Sequence, residues 1–331
     1  MSAVTRRRAI TALAAVAGIP LALLGRGDRA APPLARWRGV ALGARAEITL
    51  CHPDRTKARA ALEACVDEID RLDRVFSLYR AEGALVAFNR AGRLSKPPHD
   101  LIRLMAQARR FHGLGDGAFD VTVQPLWRLY ADHFARPGAD PRGPGARAIA
   151  MARARVDGGA IEISPRLLRF ARPGMAVTLN GIAQGAITDA IADLLRDAGF
   201  DQALVGIGEL RALGDRGEGP WRIGIDDPRH PGTTPTTLAL VDAALATSGG
   251  YGTRFDARGR FHHLFDPASG VSPGTVLSAS VVAPRATAAD ALATTLAVSD
   301  PARAAMLVDR FGASHAELKL ADGRVVIVDA G

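Results

Sequence analysis

Polar and small residues alternate with apolar ones through Ala44-Arg-Ala-Glu-Ile-Thr-Leu50, the period of a half-buried strand. From residue 54 to 76 the period changes. Leu62, Cys65, Ile69, Leu72 and Phe76 recur at intervals of three and four, which predicts an amphipathic helix. A second helix is expected over Asp100–His112, after Pro97 and Pro98, and a third over Thr188–Ala198. Short apolar runs predict strands at 156–163, 175–179, 202–207 and 221–225, and strands at 276–283 and 324–328 flank a helix at 287–299. Gly113 to Asp120 reads as a loop. The stretch Arg136–Gly145, with three Pro and three Gly, reads as a surface excursion and the best candidate boundary. Helices and strands mix without regular βαβ spacing, so the expected fold class is α+β.

At 331 residues the chain has room for one large or two modest domains. Its 48% hydrophobic and 23% charged residues exclude collagen, coiled coil and wholesale disorder. The formal charge of +8 invites a nucleic-acid reading. Half of that excess sits in residues 1–31, where five arginines face Asp28 alone, and the body has no basic run interleaved with aromatics. Nucleic-acid binding is therefore disfavoured.

That N-terminal stretch sets Arg6-Arg7-Arg8 before the weakly apolar Ala9–Leu24, too short to span a bilayer comfortably. It resembles a twin-arginine signal peptide over residues 1–31, with small residues near Ala30-Ala31 for cleavage; an uncleaved anchor is the other reading. The expected location is the periplasm, after passage through the twin-arginine (Tat) export machinery and with no stable membrane insertion after cleavage. Cys51 and Cys65 are too few for a disulfide framework, zinc ribbon or iron–sulfur site, and Cys65 on the helix face reads as a buried thiol.

Candidate chemistry falls in four places. Thr178-Leu-Asn-Gly181-Ile-Ala-Gln-Gly185 is a glycine-punctuated turn opening a helix, either an anion-binding terminus or an ordinary connection. In His262-His263-Leu-Phe-Asp266-Pro267 adjacent histidines on a strand would face opposite ways, so one serves a given site. A histidine beside a carboxylate is general-base equipment, or a satisfied surface residue next to a turn. Asp290 and Thr294, four apart on a helix, present two hard oxygens suited to Mg²⁺; Asp290 with Thr287 equally approximates a capping box. Aromatic stretches Phe76–Tyr79 and Gly117–Trp127 can stack on a planar ligand or fill the core.

Taken in order, seven motifs carry a resemblance over about Leu42–Val298: Phe76-Ser-Leu-Tyr79, Gly117–Trp127, Leu179–Gly185, Trp221–Pro228, Ala246-Thr-Ser-Gly249, His263–Pro267 and Ala289–Thr294. They resemble the ApbE family, periplasmic flavin transferases that move FMN from FAD onto a threonine of an acceptor flavoprotein. The resemblance implies one α+β domain over 35–331, a cleft for FAD, and Mg²⁺ held by Asp290, Thr294 and the carbonyl of Gly181. It makes His263 the catalytic base, and assigns Leu42, Tyr79, Ala118, Phe119, Asp120, Thr178, Gln184 and Ser248 to the nucleotide. The chain departs from the common pattern at Leu42-Gly43-Ala44, where Met-Gly-Thr is usual, and at Thr178, Asn180 and Gln184, where a carboxylate and a lysine are lost. With Gly206–Gly214, these changes look like the NosX branch, which serves the flavoprotein of nitrous-oxide respiration. Two other readings use the same site: hydrolysis of FAD to FMN and AMP, and non-catalytic FAD holding by an assembly factor.

Overall fold

Ala203, Val205 and Ile207 face one hydrophobic core while Leu204 between them faces another, so this strand is buried on both sides. The same division runs through Ala46, Ile48 and Leu50 against Cys51, and through Ala279 and Val281 against Val282. A computed structural model describes residues 34–330. In chain order the elements are β1 (Leu34–Ala41), β2 (Ala44–Cys51), α1 (Arg55–Phe76), α2 (Ala84–Ala91), β3 (Arg93–Ser95), α3 (His99–Leu114), α4 (Gln124–Phe134), α5 (Ala146–Arg153), β4 (Ile161–Ser164) and β5 (Leu167–Phe170). They continue with α6 (Ala183–Asp197), β6 (Ala203–Ile207), β7 (Glu209–Leu213), β8 (Trp221–Ile225), β9 (Thr236–Leu240), β10 (Ala244–Gly249), β11 (Val276–Ala283), α7 (Ala286–Val298), α8 (Ala304–Phe311), β12 (His315–Leu320) and β13 (Val325–Asp329).

The architecture is α+β, as expected. Eight strands form one antiparallel sheet in the order β1-β2-β6-β7-β10-β11-β12-β13. Helices α6 and α7 lie on it and against each other, with α1 and α3 packed outside them. The ribbon β8–β9 covers part of the other face, burying Trp221, Ile223 and Leu240. A three-stranded sheet, β3-β5-β4, stands apart.

Helix α1 begins where Asp54 accepts the N–H groups of Thr56 and Lys57 at 2.8 and 2.9 Å, and buries Leu62, Cys65, Ile69, Leu72 and Phe76. Cys65 is a free buried thiol, pushed up to about 12 by burial, and Cys51 is also free. Several expectations need correction. Residues 175–179 form no strand; they run extended, with the Val177 N–H and carbonyl both bonded to the Asn89 side chain and the Thr178 N–H donating to the Val121 carbonyl. Strand β4 starts only at Ile161, because Gly158-Gly159 form a turn under Asp157. Helix α6 starts at Ala183, five residues early. The Arg136–Gly145 excursion joins α4 to α5, which pack on each other, so it marks no boundary between separate units. Residues 1–31, with the expected leader, lie outside the described residues; among those described, no helix is long and apolar enough to cross a membrane.

The capping-box reading of Thr287 and Asp290 is also overturned. Helix α7 is capped from α6: Asp189 accepts the N–H groups of Ala286 and Thr287, both at 2.9 Å, and the Thr287 hydroxyl at 2.6 Å. Buried Arg211 on β7 balances that carboxylate at 2.9 Å and also reaches Asp193 at 3.0 Å. Removing Asp189 leaves the Ala286 and Thr287 N–H groups without their acceptor and buried Arg211 with only the partly exposed Asp193. We expect Asp189→Ala to cost about 3 kcal/mol, the scale of a broken buried pair, measured by urea denaturation, with Asp189→Asn costing less because one acceptor oxygen survives.

Candidate active site

The central sheet forks between β7 and β10. Those strands pair only at Ala244 with Arg211 and Leu245 with Leu210. Beyond that point they diverge, and the Thr247 N–H donates to the Glu209 carboxylate at 3.2 Å instead of to a neighbouring strand. The fork opens into a cleft of about 1660 Å³ including the solvent at its mouth.

All twelve residues that the resemblance assigns to the site line this cleft: Leu42, Tyr79, Ala118, Phe119, Asp120, Thr178, Gly181, Gln184, Ser248, His263, Asp290 and Thr294. They arrive from separate elements. Leu42 sits in the β1–β2 turn at φ 49°, a left-handed backbone that a leucine adopts only under constraint. Tyr79 stands at the mouth, 58% exposed, just beyond α1. Phe119 is packed edge-to-face on Phe111, and the Asp120 carboxylate is occupied by the Thr122 N–H and hydroxyl and the Gly158 N–H. The side chains of Phe119 and Asp120 thus also hold the wall together. Gln184, at the start of α6, rests against Gly208 in the β6–β7 turn, where φ is +81° and a Cβ would come within 2.5 Å of the Gln184 amide carbon. Only glycine leaves that space.

Asp290 and Thr294 lie on one face of α7, as their spacing predicted. Helix α7 crosses α6 at Gly185, where a Cβ would meet the Ala286 carbonyl oxygen at 2.4 Å. At this crossing the Gly185 N–H donates to Asp290 Oδ2 at 3.0 Å. The Thr294 hydroxyl is 3.1 Å from the Ser248 hydroxyl, and a Cβ on Gly181 would lie 2.9 Å from it. Thr294 and the Gly181 backbone are therefore neighbours, with Asp290 one turn away on α7. Burial pushes Asp290 up to about 7, partly offset by the Gly185 hydrogen bond. Glu209 is raised well above the usual carboxylate range by burial and by the charge of Asp290. Two buried carboxylates and a hydroxyl, all hard oxygens, fit a divalent cation such as Mg²⁺.

His263 does not lie on a strand; its segment is a loop bridged to Arg254 through His262. The two rings nevertheless separate. His262 Nε2 bonds to the Pro273 carbonyl at 2.8 Å and its Nδ1 accepts the Leu264 N–H, whereas His263 lines the cleft. His263 Nδ1 lies 3.3 Å from the Thr253 carbonyl, which can only accept, so Nδ1 carries the proton and Nε2 keeps a free lone pair. The orienting group is thus a carbonyl. Asp266 instead holds its own turn by accepting the N–H groups of Ala268 and Ser269. Burial, and secondarily His262, pulls His263 down to about 4, so it is neutral at physiological pH.

Sequence reasoning missed Glu209, Asp226 and Tyr251 as cleft residues. Asp226 has a buried Oδ1 with no partner among the described residues, and burial raises it. The usable signals were Gly208-Glu209 at a strand-to-strand turn and the Asp226-Asp227-Pro228 ending of β8.

Residues 42–317 match the ApbE family. The FAD:protein FMN transferase of Treponema pallidum (strain Nichols) is 32% identical over 291 residues, spanning 81% of this chain and 79% of its own length. That of Vibrio cholerae serotype O1 is 34% identical over 245 residues, 70% of this chain and 72% of its own. The crystal structure of the ApbE protein from Thermotoga maritima superposes with a TM-score of 0.79 at 26% identity, covering 89% of this chain and 97% of that one. The flavin transferase ApbE from Vibrio cholerae gives 0.77 at 26%, covering 90% and 98%. The motifs, the forked sheet and these likenesses agree, and the chain belongs to the ApbE family.

Proposed function

We propose that this enzyme of flavin transfer moves FMN from FAD to a threonine hydroxyl of an acceptor flavoprotein and releases AMP, with Mg²⁺ at Asp290, Thr294 and the Gly181 carbonyl. The observation that carries the reading is His263, neutral, held through Nδ1 by the Thr253 carbonyl and lining the same cleft as Asp290 and Thr294. A threonine hydroxyl is a poor nucleophile at neutral pH and needs a base within reach. The hydroxyl oxygen attacks the FMN-side phosphorus and its proton passes to His263 Nε2. The bond from that phosphorus to the bridging oxygen breaks, and AMP leaves with that oxygen. Bound Mg²⁺ would supply charge neutralisation at the diphosphate. Ser248 steadies the Thr294 hydroxyl, and the Gly185 N–H holds one Asp290 oxygen, leaving the other free.

The motif resemblance to the NosX branch supports an acceptor in nitrous-oxide respiration, and Arg6-Arg7 supports twin-arginine export of the folded protein to the periplasm.

Three outcomes test this reading. His263→Ala should leave FAD affinity nearly intact and lower covalent transfer by roughly 10²–10⁴-fold, read as protein-bound flavin fluorescence. Because the base must be neutral and burial depresses it toward about 4, transfer measured with Mg²⁺ saturating at every pH, so that protonation of Asp290 does not enter, should hold through pH 6 and fall only as pH approaches that value, and the mutant should lack this limb. Activity that falls through pH 6.5 would place the base elsewhere. Asp290→Asn, which still offers an acceptor to the Gly185 N–H, should abolish Mg²⁺-dependent turnover with an unchanged melting temperature. In the parent, calorimetric Mg²⁺ affinity should strengthen with rising pH until Asp290 is ionised, near 7. Arg6→Lys with Arg7→Lys should retain the protein in the cytoplasm on fractionation; normal delivery removes the export reading.

A further inference from the structure

The wall that carries His263 belongs to a small lobe with its own core, in which Leu126, Tyr130, Ala152 and Phe265 pack with Phe255 and Phe261. Residues 124–156 and 252–271 contain every member of this core. They hold nine arginines against four aspartates, with no lysine or glutamate, a net charge of +5. Residues 34–330 as a whole carry +4, so the rest of the body is at −1. Folding therefore gathers onto one lobe a positive charge that looks dispersed along the sequence.

All nine arginines are exposed, and none lines the cleft. Among the described residues, only Arg142 and Arg260 of the nine have an acidic partner, Asp140 and Asp256. Elsewhere most arginines are paired, as Arg38, Arg71, Arg80 and Arg211 are. Arg128 follows the cleft residue Trp127, Arg254 follows the cleft residue Thr253, and Trp127 meets Phe255 edge-on at 5.7 Å.

Resting on the transferase reading, we infer that this lobe docks the acceptor flavoprotein through an acidic face that flanks its target threonine. Charges outside the cleft do not touch bound FAD; they meet whatever large body brings a hydroxyl to His263. Unpaired, solvated charges of one sign steer and orient such an encounter, raising association rates 10–10³-fold at low salt. A lipid surface fits less well, because Met151 and Val271 are the exposed large apolar residues of the lobe. Nucleic acid fits less well, because its aromatics are turned into its own core.

The test compares the full chain with R128E/R147E/R258E, three exposed arginines without an acidic partner or a cleft position. The probe is a folded acceptor domain bearing the target threonine, in its parent form and with the acidic residues around the threonine changed to Asn and Gln. We expect the triple variant to raise KM for the parent acceptor about tenfold at low ionic strength, with kcat and FAD affinity within twofold and melting temperature unchanged. The neutralised acceptor should show the same rise with the unaltered enzyme, and salt should erase the difference. Equal KM for enzyme and variant at all salt concentrations overturns the docking surface while leaving transfer intact. A matching loss of FAD affinity overturns it in favour of nucleotide steering, and unchanged KM with lost binding to anionic phosphatidylglycerol vesicles overturns it in favour of a membrane. AMP release with neither acceptor flavinylated overturns the transferase reading and the docking with it.

Discussion

The crossing of α6 over α7 at Gly185 is the constraint on which the site depends. No side chain fits between the two backbones there. That contact brings the Gly185 N–H to Asp290, and one turn further along α6 it brings Asp189 to the N-terminus of α7. One helix thus caps the other and fixes the carboxylate that it presents to the cleft. Arg211 from the sheet locks the arrangement from below. Helix termini left without such partners would carry unsatisfied N–H groups in a dry interior, so the same residues serve folding and site geometry.

Much of this was legible in the chain because the signals were local. The helix of residues 54–76 announces itself by period and the strands at 202–207, 221–225 and 276–283 by short apolar runs, and the site residues fall in short motifs whose order is informative. What stayed hidden depends on distance in sequence. Asp189 caps a helix almost a hundred residues away, and nothing near Thr287 records it, so a local capping box looked sufficient. Residues 175–179 have the composition of a strand but find a side chain, Asn89, where a neighbouring strand was expected. Strands β7, β10 and β12, buried at nearly every position, show no alternation to read. Glu209 gained its character only when the sheet placed it beside Asp290.

Electrostatically the cleft reads as a deficit. Gln184 is neutral where a lysine is common in the family, and Asp290 and Glu209 are both buried and raised. Bringing a diphosphate to such a place calls for a cation. The positive charge of the chain lies instead on the outer lobe, where it does not compete for the nucleotide.

The fork itself has a thermodynamic corollary. The sheet is two four-stranded halves, β1-β2-β6-β7 and β10-β11-β12-β13, joined by a two-residue seam. A molecule seated in the fork touches Gly208 and Glu209 on one half and Thr247, Ser248 and Gly249 on the other, and so bridges the weakest junction of the sheet. Occupancy and cohesion are then linked quantities: each tenfold excess of ligand over its dissociation constant adds about 1.4 kcal/mol to the folded state. A chain that loads its nucleotide early becomes, by the same binding, harder to pull apart.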